Sequence, residues 1–175
     1  MKNRRKENRL ANYDYSRNGL YFVTVCTKDR EKYLSKVECV GDGVLDVPHR
    51  KPNVILKEYG KITKNVIDEI NDYYNHIEIK KYVIMPDHIH MVIFKYDEND
   101  VMGTSRTPSP TNAVIPALIS TMKRFANKRI GFNIWQRSYH DRIIRSEEEF
   151  LEICDYIDNN PVNWANNKFN QNKWR

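Results

Sequence analysis

The chain has 175 residues, of which 40% are hydrophobic and 30% charged, with a formal net charge of +6 and an isoelectric point near 9.1. That length holds one domain with a real core and is short for two, and no apolar run approaches the ~20 residues of a membrane helix. The basic start "MKNRRKENRL" has no apolar segment behind it and does not read as a secretory signal. The three scattered cysteines fit reduced cytoplasmic thiols better than a disulfide framework. The positive balance favours a polyanionic partner, nucleic acid first.

Residues 20–27, "LYFVTVCT", are rich in β-branched and aromatic side chains and predict a strand. Residues 28–53 carry charges, glycines and Pro48 and read as an irregular excursion. From about Val54 the period changes. Ile55, Tyr59, Ile62, Val66, Ile70 and Tyr73 recur every three or four positions, which predicts an amphipathic helix. "HIEIKKYVIMP" is a second strand, broken at Pro86 and Asp87, and "HIHMVIFKY" a third, antiparallel to it because the connection is short.

Residues 97–112 have few large apolar groups and read as a flexible loop. Ala113 to Ile130 predicts a second helix, with Val114, Ile115, Leu118, Ile119, Met122 and Phe125 as its buried stripe and Gly131 as its stop. "IWQRSYHDRIIR" reads as extended. "SEEEFLEICDYIDNNP" opens on a capping-box pattern, Ser146 with Glu149, and is expected to end at Pro161. The order β, α, β, β, α, β, α predicts an α+β domain: a ferredoxin-like split βαβ, an antiparallel sheet with helices packed on one face. One domain over residues 1–175 is expected, with a basic arm over about 1–12 and a polar tail over about 165–175.

The chemistry concentrates in two places. His88 and His90 stand two apart in a strand and so project from one face, while Ile89 and Met91 enter the opposite layer. Two such imidazoles can hold one divalent cation, with a third ligand from elsewhere; the plain alternative is two histidines on a solvated face. Tyr156 and Asn160 stand four apart on the last helix, so both can point at the sheet. A tyrosine hydroxyl beside a cation can attack a phosphodiester and leave a phosphotyrosine.

"MPDHIHMVIF", "IWQRSYHDRIIRSEEEF" and "DYIDNNPVNW" together resemble the single-tyrosine HUH transposases, with the REP-associated tyrosine transposases of bacteria as the nearest branch. The resemblance runs from about residue 10 to residue 166. It implies that His88 and His90 bind Mg²⁺ or Mn²⁺, that Tyr156 is the nucleophile, and that Asn160 completes or approaches the metal shell. It implies cleavage of single-stranded DNA near a hairpin, leaving a 5′-phosphotyrosine and a free 3′-OH that can rejoin strands without ATP. It further implies a bacterial, cytoplasmic and nucleoid-associated protein, acting as monomer or homodimer. The alternative is a domesticated protein that holds hairpin DNA without cutting it.

Candidate DNA contacts are Arg4, Arg5 and Lys6 in the arm, Lys123, Arg124, Lys128 and Arg129 on the second helix, and Arg137 beside Trp135, which reads as core. Tyr139 is a rival nucleophile in "RSYHDR", and His140 a stray ligand or a surface histidine. Asp87 is either an acceptor that orients an imidazole or a turn residue.

Overall fold

A computed structural model describes residues 18–38, 52–74, 76–96 and 114–166. Its centre is a four-stranded antiparallel sheet in the order β4 (Ile77–Ile84), β5 (His88–Lys95), β1 (Gly19–Cys26), β6 (His140–Ile144). With α1 (Glu58–Tyr73) and α2 (Val114–Ile130) as crossovers, this is the expected α+β split βαβ.

The two-residue period of the strands sorts their side chains into two layers. Tyr21, Val23 and Val25 of β1 and Ile89, Met91 and Ile93 of β5 enter one core, closed by Val66, Ile67 and Ile70 of α1 and Ile115, Leu118, Ile119 and Met122 of α2. The alternate residues face the other way. There Val92, Ile144 and the partly buried Leu20 and Phe22 meet Ile153 and Ile157 of α3 (Glu147–Asn166). Helices α1 and α2 thus share one face as expected, but α3 covers the other. The expectation of helices on one face alone overlooked that Phe22, Val92 and Ile144 leave an apolar half on the histidine side, which needs a cover.

Two boundaries also differ from the sequence reading. Residues 28–53 are not wholly irregular: β2 (Ser35–Glu38) pairs with β3 (Asn53–Leu56) in a separate two-stranded sheet. Val54 and Ile55 are therefore strand residues, and α1 begins only at Glu58. Helix α3 passes through Pro161 to Asn166. Proline there removes one backbone bond to the Ile157 carbonyl, yet the extra turn brings Trp164 against the site described below. Gly131 ends α2 as expected, with φ of 96° and its N–H on the Asn127 carbonyl. The Ser146 hydroxyl accepts from the Glu149 N–H, while Glu149 reaches back to the Arg145 N–H, a capping box displaced by one residue. The loop expected at 97–112 and the arm with Arg4, Arg5 and Lys6 lie outside the described residues.

The small sheet is locked onto the main one by the Ser35 hydroxyl on the Ile84 carbonyl and the Leu34 N–H on the Pro86 carbonyl. Gly60 permits this. A Cβ at that position would stand 1.9 Å from the Leu34 carbonyl oxygen. Gly60→Ala is therefore expected to destabilise the fold by about 1–3 kcal/mol, despite alanine's better helix propensity. Thermal melting checks this, and an unchanged or raised melting temperature would refute it.

Candidate active site

The end of β1 and the start of β5 lie side by side, with Cys26 opposite His88 and Thr24 opposite His90. The two imidazoles project from the α3 face, their ring centroids 4.5 Å apart. Each is tied back through Nδ1. The His88 N–H donates to Asp87 Oδ1 at 2.5 Å, and His90 Nδ1 lies 2.8 Å from the Thr24 hydroxyl. Both Nε2 atoms are left for other chemistry. His90 stacks on Phe22, and His88 lies 5.9 Å from the Trp164 ring. Burial, with lesser help from His88 and Arg30, lowers the His90 pKa well below its ordinary 6.5. Its ring is therefore neutral at pH 7, as metal ligation requires.

Helix α3 brings Tyr156 over this pair. Its hydroxyl stands 3.3 Å from His90 Nε2, although the two residues are 66 positions apart. Asn160, one turn on and buried, lies on the same side of the helix and acts on the same hydroxyl. Burial raises the Tyr156 pKa above its ordinary 10, while the Asn160 side chain and the Arg30 charge oppose that rise. Tyr156 is thus brought against His90, which adjoins His88, with Asn160 one turn further along the same helix. Among the described residues, no group of three or more His, Cys, Asp or Glu side chains could hold a metal. Two imidazole nitrogens with an amide oxygen such as that of Asn160 are donors of a kind that a divalent cation takes.

Of what holds this arrangement, the sequence reading offered Asp87 as an acceptor for an imidazole, which the structure bears out, and missed Arg30. Asp87 is 1% exposed and is no mere turn residue: its Oδ2 pairs with Arg30 Nε at 3.1 Å while its Oδ1 holds His88. Arg30 also donates to the Cys26 sulfur at 2.8 Å. It reaches both from a left-handed backbone, φ 59° after φ 53° at Asp29. Two non-glycine residues in that region together cost on the order of 2–4 kcal/mol. Such strain marks places where surrounding contacts overrule local preference. Only the Asp-His adjacency was visible in the sequence; nothing there pointed to Arg30.

The expected DNA contacts divide. Helix α2 lies beyond the sheet from Tyr156, so Lys123, Arg124, Lys128 and Arg129 are not beside the histidines. Arg129 is engaged with Glu69 at 3.0 and 2.5 Å, and Arg124 sits over Phe125. Lys123 turns inward. Its ammonium donates to the Gln136 and Ser138 carbonyls at 2.8 and 2.9 Å, and burial lowers its pKa to about 8. Lys123 thus acts as a clasp between α2 and the Gln136–Ser138 segment. Lys123→Met is expected to cost about 1–2 kcal/mol through the orphaned carbonyls; a loss of DNA affinity at unchanged melting temperature would favour the expected DNA contact instead. Arg137 lies in a cleft with Arg30, nearer the histidines. Tyr139 packs against the core under α1 and α2, so the sheet divides it from the pair, and His140 is an exposed edge residue.

Comparison with known proteins bears on the family and the fold. The sequence profile described as "Transposase IS200 like" matches residues 44–160. A Haemophilus influenzae protein of unassigned function is 29% identical over 174 residues, covering 91% of this chain and 89% of its own. A second protein of that organism, provisionally named a REP-associated tyrosine transposase, is 25% identical over 158 residues, 87% of this chain and 77% of its own. The solved structure of a REP-associated tyrosine transposase bound to a REP hairpin has the same fold, with a TM-score of 0.59 at 18% identity over 88% of this chain and 73% of that one. Among the described residues no helix is long and apolar enough to cross a membrane. With a family profile spanning more than half of its length, the chain belongs to the IS200-like transposase family.

Proposed function

We propose that this transposase-family protein cleaves and rejoins single-stranded DNA at hairpin-associated sites through a 5′-phosphotyrosine. The observation that carries the reading is the convergence of the Tyr156 hydroxyl on His90 Nε2, with both histidines oriented through Nδ1. The name and bound hairpin of the structural relative supply the substrate class.

His88, His90 and Asn160 would hold Mg²⁺ or Mn²⁺. Such an ion, when bound, supplies positive charge to the scissile phosphate and its leaving oxygen. The rest falls to this chain. The half-buried Tyr156 hydroxyl is protonated at neutral pH, so it gives up its proton to solvent as its oxygen attacks phosphorus. The Tyr–O–P bond forms, the P–O3′ bond breaks, and the 3′ oxygen takes up a proton. The reverse attack by another 3′-OH restores a phosphodiester and the tyrosine, so no nucleotide hydrolysis is needed. Asn160 fixes the hydroxyl from one side, and Phe22 packs edge-on against the tyrosine ring. Such positioning avoids an entropy cost during reaction.

The test is direct. The protein is mixed with Mn²⁺ and a pool of single-stranded hairpin oligonucleotides labelled at the 3′ end, then run on a denaturing gel. A labelled protein band that chelator abolishes is expected. Hairpin binding without any covalent band across the pool would favour a binding protein that has given up cleavage.

A further inference from the structure

We propose that the cleft beside Arg30 is a second DNA subsite, which holds the single strand next to the scissile phosphate. This rests on the function proposed above and names where the strand goes. The cleft has a volume of about 310 Å³ and is lined by Lys28, Arg30, Trp135, Gln136 and Arg137, together with Asp29 and Asn133. With Arg30 shared with Asp87 behind the wall, Lys28, Arg30 and Arg137 still outnumber Asp29 and Asp87 and favour a phosphate, and the volume suits about one nucleotide.

Four observations point the same way. First, the cleft abuts the histidines: Arg30 forms its wall and also pairs with Asp87, which holds His88. Second, its floor is rigid. The Thr27–Trp135 bridge, the Lys28 N–H on the Ile134 carbonyl and the Gln136 N–H on the Cys26 carbonyl stitch its two walls together. Lys123 clamps the second wall from behind through the Gln136 and Ser138 carbonyls. Third, the wall residue Trp135 is 2% exposed, and its indole N–H has no hydrogen-bond partner among the described residues. A buried orphan donor is uncommon and usually answers to a ligand or solvent. Fourth, Asp29 and Arg30 hold left-handed backbone at this wall, the strain found at ligand clamps. Lys28, Gln136 and Arg137 are exposed and need break no fold contact to meet a ligand.

The experiment measures fluorescence anisotropy in chelator, so that metal plays no part. The probes are a DNA hairpin alone and the same hairpin with a short randomised single-stranded extension on either side. Backbone contacts tolerate sequence, so a randomised extension serves. For wild type, one of the two extensions should tighten binding about tenfold. The double variant Lys28→Ala/Arg137→Ala should lose most of that gain, keep its affinity for the bare hairpin, and show a salt slope smaller by about 1.4 on the extended probe. An extension gain and salt slope unchanged in the variant would overturn the subsite while leaving the cleavage reading intact. Failure of wild type to bind any of the probes would overturn the hairpin reading and the subsite with it. Trp135→Phe keeps the ring but removes the N–H; it should weaken only the extended probe, and equal weakening on both would count against the subsite.

Discussion

Tyr156→Phe is expected to reduce DNA cleavage by at least about 10³-fold, roughly 4 kcal/mol of barrier, while hairpin binding stays within a few-fold of wild type. The substitution removes one atom. The ring keeps its packing at 5.2 Å from His90 and 6.1 Å from Phe22, so the α3 interface should survive. Loss of the hydroxyl leaves the Asn160 amide and His90 Nε2 without one partner each, a stability cost of about 1 kcal/mol. That is too small to explain a loss of activity by unfolding. Anisotropy, melting and the denaturing gel separate the three quantities. A covalent band surviving in the variant would move the nucleophile elsewhere. Tyr139 could then serve only by a large rearrangement, since it lies on the opposite side of the sheet. Because burial raises the Tyr156 pKa, wild-type cleavage should also accelerate as pH rises from neutral.

His88→Ala is expected to weaken Mn²⁺ binding by about 100-fold or more, read by calorimetry or electron paramagnetic resonance without DNA present. Removing one of two imidazoles takes away a principal ligand, and about 2.7 kcal/mol corresponds to that ratio. Asp87 would keep its pair with Arg30, so the variant should still fold. The companion Asp87→Asn should weaken the metal by a smaller factor, about 10–100-fold, because it loosens the ring's orientation and basicity without deleting the ligand. Equal Mn²⁺ affinity in wild type and His88→Ala would remove the histidine pair from any metal role.

Much of this was readable in the chain. The alternation of β5 placed His88 and His90 on one face, and the four-residue step placed Tyr156 over Asn160; both hold because backbone periods are local properties. The missing parts depend on distant contacts. β2 and β3 are four residues each and carry Lys36, Glu38 and Asn53, so they have neither length nor apolar alternation to announce a strand. Val54 and Ile55 happen to extend the helical stripe of α1 and were absorbed into it. Pro161 is a reliable breaker only when the helix has nothing further to bury, and here Trp164 packs beside His88. Arg30 acquires its role from an unusual backbone and a partner on another strand, neither encoded by its neighbours. Lys123 looked like surface because its position flanks the stripe, but a long side chain can bend back to carbonyls.

The division of the sheet into two faces has an evolutionary consequence. In β5, Ile89, Met91 and Ile93 answer to folding, whereas on the function proposed above His88 and His90 answer to the reaction. Selection therefore acts on interleaved letters of one short word. A lineage released from cutting DNA would let the histidines drift while the letters between them stayed fixed. Its descendants would carry a two-residue rhythm of change along a strand whose shape had not moved.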